Sequence, residues 1–139
     1  MTVETMTKHP SKLELTGKYK ALTNSYPSRI IVEGITYPTL EHAFQAAKLT
    51  DTETKVLISK AKLPDVSSLV GEGFTRPNWK EIQWATMYQL MTLKFESNPA
   101  LASLLQDTGN RPLAYPKKHR RKRNKLESIL MKVRGELRA

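Results

Sequence analysis

Three polar side chains at helical spacing are the strongest candidates for chemistry in this sequence. Glu41, Gln45 and Lys48 stand at positions i, i+4 and i+7, so on a helix they would form one stripe. An amide can bind hydroxyl groups, an ammonium can bind phosphate, and a carboxylate can accept a proton. The stripe predicts a site for a polar, multiply hydroxylated ligand, although a solvated helix face is the commoner origin of such a pattern.

Glu41 would lie in the first turn of this helix, where the helix dipole favours the ionised carboxylate. An ionised carboxylate suits a general base, or a group that stabilises a cationic transition state, better than a proton donor.

Other kinds of catalytic site are not indicated. The three histidines, His9, His42 and His119, have no chelating spacing, and Glu41 and His42 are adjacent, unlike the pair in a zinc-binding helix. The sequence contains no G-x-S-x-G nucleophile motif and no glycine-rich phosphate loop. No metal is therefore predicted.

Trp79 begins a long helical pattern after a loop, and two interpretations of it are open. Its ring could stack on a base of a ligand, or it could pack against the helix end as a staple. The segment 24–27, Asn-Ser-Tyr-Pro, is by composition typical of a plain turn.

The net charge of +10 is concentrated in one short stretch, residues 117–125, which we call the basic segment. The preceding 116 residues hold 13 Lys or Arg and 11 Asp or Glu. We predict that the basic segment contacts phosphate or nucleic acid. If all seven cations take part, log affinity for duplex DNA should fall with log salt concentration with a slope of about −6. A solvated loop or a nuclear-targeting stretch is the alternative. The cations concerned are Lys117, Lys118, Arg120, Arg121, Lys122, Arg123 and Lys125.

Length and composition place the chain among single globular domains. It has 139 residues, of which 39% are hydrophobic and 26% charged, and it has no cysteine. A disulfide framework, a thiol nucleophile and an iron–sulfur cluster are thereby excluded. No apolar run reaches membrane-spanning length and the start is polar, so we expect a cytoplasmic protein without membrane contact, or a nuclear one in a eukaryotic host.

The hydrophobic pattern and the turn signals predict a small, mostly helical α+β domain around these residues. Residues 1–12 are predicted to be a flexible tail, and residues 13–139 form the domain. Weak alternation from Leu13 to Ala21 predicts a strand broken at Gly17, and residues 29–37 predict an antiparallel β-hairpin that turns at Glu33-Gly34.

Helix-start signals divide the remaining chain. Thr39 should cap the helix that carries Glu41, and Thr50-x-x-Glu53 reads as a capping box. Asn78 should cap a long central helix. The pattern Asn124-x-x-Glu127 should cap a final amphipathic helix.

Several of these residues also form a pattern that resembles the NADAR family. The pattern comprises Leu-Thr-Asn-Ser-Tyr-Pro at 22–27 and Glu-Gly-x-x-Tyr-Pro-Thr-x-Glu-His-x-x-Gln-Ala-x-Lys at 33–48. It continues through Trp79, Lys94-Phe95 and Thr108-Gly109, and resumes at Asn124-x-Leu126. The resemblance covers roughly residues 20–138 in order and spacing.

The resemblance implies cleavage of an N-glycosidic bond in an ADP-ribosyl or phosphoribosyl substrate. The substrate would be a ribosyl-nucleotide-type small molecule, such as a riboflavin-pathway intermediate, or ADP-ribosylated nucleic acid. Glu41 corresponds to the family's catalytic acidic residue, and no cofactor is implied. The residues at substrate-binding motif positions are Asn24, Tyr26, Gln45, Lys48, Trp79 and Lys94.

The chain departs from the family pattern in its last third. Tyr115 stands where the family has Glu, Glu127 stands where it has Gly, and an Asp and a Trp-Gly pair have no counterpart. The basic segment takes the place of that loop, so it should lie at the rim of the pocket and favour a polyphosphorylated or nucleic-acid-attached substrate. The alternative is a catalytically degenerate module that binds NAD, ADP-ribose or nucleic acid.

Overall fold

The computed structural model describes residues 11–116 and 122–137 as a mostly helical α+β fold. This confirms the predicted fold class. The strands are β1 (Leu13–Glu14), β2 (Ile30–Val32), β3 (Ile35–Tyr37) and β4 (Leu113–Ala114). The α-helices are α1 (Leu40–Ala47), α2 (Thr52–Lys60), α3 (Val66–Glu72), α4 (Trp79–Ser97), α5 (Pro99–Asp107) and α6 (Arg123–Leu137). Two 3₁₀ helices cover Gly17–Leu22 and Leu63–Asp65.

The predicted hairpin is present as the antiparallel pair β2 and β3, in which Ile30 pairs with Tyr37. Its two turn residues, Glu33 and Gly34, both have positive φ angles, 51° and 80°. Two positive φ angles in a two-residue loop match the right-handed twist of the flanking strands.

The second strand pair joins distant parts of the chain. β1 lies parallel to β4, with Leu13 opposite Leu113. The predicted strand does not continue to Ala21, and that prediction is wrong: after Gly17 (φ 58°) the chain forms a 3₁₀ helix. Ala21 and Leu22 are both buried, whereas successive side chains of a strand point to opposite faces, so a strand buried on one face would expose one of the two.

Helix α1 begins as predicted, because the side chain of Thr39 accepts a hydrogen bond from His42 N (3.1 Å). Helix α2 is capped by Asp51 rather than by Thr50. The Asp51 carboxylate accepts from Thr54 N (3.3 Å) and also from Phe74 N (2.9 Å) in the loop before α4. One carboxylate therefore satisfies donors of two segments, which the Thr50 hydroxyl does not.

The core forms where α1 and α6 pack against α4, and the β2–β3 hairpin lies beside α4. Leu40, Met91 and Leu130 from these three helices are fully buried. Helix α6 starts at Arg123, so Asn124 lies inside its first turn rather than capping it. Arg134 of α6 donates to Arg111 O (2.8 Å) and Thr108 Oγ1 (2.9 Å), which ties the helix to the segment before β4.

Residues 1–10 of the predicted tail lie outside the described residues. Residues 11 and 12 are bound, since Arg111 donates to Ser11 O (3.1 Å) and Lys12 O (3.4 Å). Among residues 11–116 and 122–137, none of the helices combines the length and hydropathy needed to cross a bilayer.

Candidate active site

Three helices and one loop enclose a cavity of about 330 Å³. The first turns of α1 form one wall, the middle of α4 forms another, and residues at the start of α6 close the rim. The lining residues are Asn24, Glu41, Phe44, Gln45, Gln83, Trp84, Met87, Lys122 and Leu126.

Glu41 and Gln45 lie side by side in this cavity, as their helical spacing predicts. Gln45 Nε2 donates to Glu41 Oε2 (2.8 Å), which fixes the carboxylate and leaves its other oxygen available to a ligand or water. Glu41 N donates to Asn24 O (3.0 Å), so the loop after the 3₁₀ helix is joined to the start of α1. The side chains of Glu41 and Gln45 are both half-buried, so water reaches the Glu41 carboxylate from one side.

Asn24 places a buried amide against the same cavity. Its Nδ2 group contacts Met87 Sδ (3.7 Å), and its Oδ1 accepts from the Tyr115 hydroxyl (3.3 Å). Burial, with the nearby carboxylates of Glu41 and Glu127, raises the pKa of the Tyr115 phenol. The phenol therefore keeps its proton and donates it.

Lys94 is predicted to bind substrate, but the structure places it inside the protein at 1% exposure. Its ammonium donates to Ala21 O (3.2 Å) and Thr23 O (2.8 Å). Burial lowers the pKa of Lys94 to about 8. In this position Lys94 supports the loop that carries Asn24 and does not line the cavity.

Three other predicted site residues, Trp79, Lys48 and Tyr26, are not among the described residues that line the cavity. The ring of Trp79 packs on Phe44, with centroids 5.2 Å apart and planes tilted by 50°, so it supports the cavity wall from behind. Lys48 forms the C-terminal cap of α1, and its carbonyl accepts from Arg76 N (2.9 Å). Tyr26 is exposed on the turn before β2.

The three described cations of the basic segment have different partners. Lys122 lines the cavity, donates to Gln83 Oε1 (3.3 Å) and holds its ammonium 5.3 Å from the Trp84 ring centroid. Lys125 approaches the same ring at 6.0 Å. Arg123 instead pairs with Glu127 (4.0 Å), and Lys117, Lys118, Arg120 and Arg121 lie outside the described residues.

Sequence reasoning missed the α4 wall. Gln83, Trp84 and Met87 belong to no polar motif, and apolar side chains at the spacing of Trp84 and Met87 are typical of the buried face of a helix. The sequence shows only that Met87 lies one turn after Gln83 and Trp84. That these residues face Glu41 and Gln45 of α1 across a cavity becomes visible only in the folded structure.

Within residues 11–116 and 122–137, no group of three His, Cys, Asp or Glu is arranged to hold a metal ion. His42 is engaged inside the fold, with its ring between Thr39 Oγ1 (2.7 Å) and Ala61 O (2.8 Å).

Comparison with known proteins gives one consistent family. The sequence model of the NADAR domain matches residues 7–138. The N-glycosidase YbiA of Escherichia coli K12 is 30% identical over 120 residues, which cover 78% of this chain and 75% of that protein. A riboflavin biosynthesis protein of Vibrio vulnificus is 31% identical over 131 residues, covering 84% of this chain and 35% of that longer protein.

The fold agrees with a solved structure as well. The NMR structure of E. coli YbiA superimposes with a TM-score of 0.78 at 26% identity, and the match covers 94% of this chain and 87% of that one.

Proposed function

The chain belongs to the NADAR domain family, and on that premise we propose that it is an N-glycosidase. Its substrate would be an ADP-ribosyl or phosphoribosyl N-glycoside, and the bond broken joins the anomeric carbon of ribose to nitrogen. The observation that carries this proposal is the carboxylate of Glu41, held by Gln45 at the wall of the cavity.

Hydrolysis of a C–N glycosidic bond passes through an oxocarbenium-like state, in which positive charge develops on the sugar. An ionised carboxylate beside that carbon stabilises the charge and orients a water molecule. As water adds to the anomeric carbon, Glu41 accepts one of its protons, and this proton passes through solvent to the departing nitrogen, so the carboxylate is regenerated. The products are ribose phosphate or ADP-ribose and the base, which stays in the chain when the substrate is a nucleic acid.

The rim of the cavity supports a phosphate-bearing substrate. Among the described residues Lys122 is the cation that lines the cavity, and Lys125 stands beside it over Trp84. A riboflavin-pathway intermediate and ADP-ribosylated nucleic acid both carry phosphate on the ribosyl side, so both belong to the proposed substrate class.

A catalytically degenerate binding module for ADP-ribose, NAD or nucleic acid is the second candidate. It is favoured by Tyr115, a buried phenol at the position where the family pattern has a carboxylate. Such a module would keep the cavity and its affinity for ligand without turnover.

Replacing Glu41→Gln tests the enzymatic proposal. We expect release of ADP-ribose from ADP-ribosylated DNA, or of free base from riboflavin-pathway intermediates, to fall by about 100-fold or more, since the amide cannot accept the water proton. Release is measured chromatographically, and affinity for ADP-ribose by calorimetry should stay within about threefold.

Glu53→Gln is the matched control, because Glu53 is an exposed acid in the first turn of α2. It should keep the parental rate. An unchanged rate in Glu41→Gln would exclude Glu41 as the catalytic carboxylate, and binding without release by the parental protein would favour the degenerate module.

A further inference from the structure

The amide of Asn24 has a defined orientation in the cavity wall. Its oxygen accepts from the Tyr115 hydroxyl (3.3 Å), and its nitrogen lies 3.7 Å from Met87 Sδ. A side-chain amide carries one acceptor end and one donor end, so the partner of one end determines which end faces elsewhere. Here the oxygen faces the protein interior, and the NH₂ group lies on the side of Met87, which lines the cavity.

The NH₂ group is a donor with a weak partner. A thioether sulfur is a poor hydrogen-bond acceptor, so an oxygen or nitrogen of a ligand in the cavity would form a stronger bond with Asn24 Nδ2. Asn24 is 6% exposed, so this bond would form away from bulk water, where hydrogen bonds are electrostatically stronger.

Tyr115 is itself held in place by the last helix. Glu127 Oε2, one turn into α6, accepts from Tyr115 N (2.8 Å). The Tyr115 side chain is 2% exposed, so it has little freedom to leave Asn24. Because the raised pKa of Tyr115 keeps the phenol protonated, its hydroxyl can donate to Oδ1 throughout the neutral range. A carboxylate at this position could only accept, and it would turn the amide around.

We propose that Tyr115 is a positioning residue that orients Asn24 so that its NH₂ group donates to the substrate at the bond being cleaved. This rests on the proposed function. The acceptor is an atom of the departing base, on which electron density grows as the C–N bond breaks. Glu41 then stabilises the positive sugar, and Asn24 stabilises the leaving group from another wall of the same cavity.

Kinetics of Tyr115→Phe, Asn24→Asp and the double variant test this role, using the substrate that the parental protein hydrolyses. Tyr115→Phe should lower kcat about tenfold and leave KM within about twofold, because the donor acts mainly in the transition state. Asn24→Asp removes the donor outright, so adding Tyr115→Phe to it should lower kcat no further than about twofold. Independent losses that multiply in the double variant would overturn the proposal, as would a rise in KM alone.

Tyr37→Phe is the matched control, since it removes a buried phenol hydroxyl from β3, outside the cavity. It should leave kcat unchanged.

An NMR measurement on the whole chain decides the positioning without any substrate. The side-chain NH₂ signals of Asn24, identified by their loss in Asn24→Asp, should shift in Tyr115→Phe and stay in place in Tyr37→Phe. Unchanged signals in Tyr115→Phe would overturn the proposal even in an active enzyme. If the parental protein releases neither ADP-ribose nor base while these signals shift, the proposed hydrolysis fails and the orientation of Asn24 by Tyr115 stands.

Discussion

At the scale of single residues, Lys94 shows how a side chain can serve the site without touching it. Its ammonium is buried and bound to two carbonyl groups of the loop that leads to Asn24. Holding a charge in the interior has a cost, and this is the reason that the pKa of Lys94 is lowered from 10.5 to about 8.

This lowered pKa predicts a particular dependence of stability on pH. Between pH 8 and 10.5 the unfolded chain keeps the Lys94 proton while the folded protein loses it, so the free energy of unfolding rises with pH in that window. The whole rise would be roughly 3 kcal/mol. Urea unfolding between pH 7.5 and 9.5 should show part of this rise in the free energy of unfolding. The rise should be absent in Lys94→Met.

The measurements stop at pH 9.5, short of the end of this window, because the tyrosines act in the opposite direction at higher pH. Burial, with a contribution from Glu33, raises the pKa of Tyr37 to about 12, so above pH 10 stability falls as unfolded tyrosines ionise. Lys80→Met, an exposed lysine on the same helix, is the control and should keep the parental slope. A parental slope in Lys94→Met would show that other groups cause the rise.

At the scale of elements, Asp51 joins α2 to the loop that precedes α4. The backbone N–H of Phe74 and the hydroxyl of Thr54 both donate to its carboxylate, and they hold the pKa of Asp51 below its usual value. Gly73 allows this approach, because a Cβ there would lie 2.7 Å from Leu49 Cδ1 and 3.1 Å from Asp51 Oδ1. The link should be present at neutral pH and be lost as pH falls through the lowered pKa.

We therefore expect Asp51→Ala to lower the melting temperature by about 3 °C or more at pH 7, because a helix cap and a loop anchor are lost together. The measurement is thermal unfolding followed by circular dichroism.

Asp65→Ala provides the comparison. Asp65 stands at the start of α3 without a side-chain bond to the helix, and its replacement removes the same charge. It should leave the melting temperature within about 1 °C. Equal losses in the two variants would assign the effect to charge rather than to the bonds of Asp51.

The same scale shows what the sequence could predict. Three features depend only on neighbours within four residues, so local spacing is sufficient to predict them. They are the helix cap at Thr39, the turn at Glu33-Gly34 and the pair of Glu41 with Gln45. The Thr50 cap failed because Asp51 gains a second partner, Phe74, from 23 residues away.

The rest of the site depends on longer contacts. The bond from Tyr115 to Asn24 spans 91 residues, and no periodicity contains that information. Lys94 matched a motif position, but a motif does not distinguish a ligand contact from a structural bond to a backbone carbonyl.

At the scale of the whole molecule, the positive charge is distributed unevenly, and this predicts a salt-dependent interaction with nucleic acid. Replacing Lys122, Arg123 and Lys125 by Gln should reduce the slope of log affinity against log salt for a 20-base-pair DNA by about 3 if each neutralises one phosphate. Fluorescence anisotropy at several salt concentrations measures this slope.

Replacing the exposed lysines Lys18, Lys60 and Lys62 by Gln changes the net charge by the same amount. The slope of this variant should differ from the parental slope by no more than about 1. Equal reductions in both triple variants would mean that DNA responds to overall charge and not to the basic segment.

The parallel pairing of β1 with β4 sets the order in which the molecule can assemble during synthesis. Leu13 N bonds to Pro112 O and Leu15 N to Ala114 O, so the first strand waits for about 100 further residues to be translated. At the ordinary pace of a ribosome this takes roughly 5 to 20 seconds. Helix α1, with Glu41 and Gln45, depends on local signals and can form early in that interval. Tyr115 follows β4 directly, and the start of α6, which lines the rim and holds Tyr115 through Glu127, follows later still, so a nascent chain acquires its carboxylate well before it acquires a complete cavity.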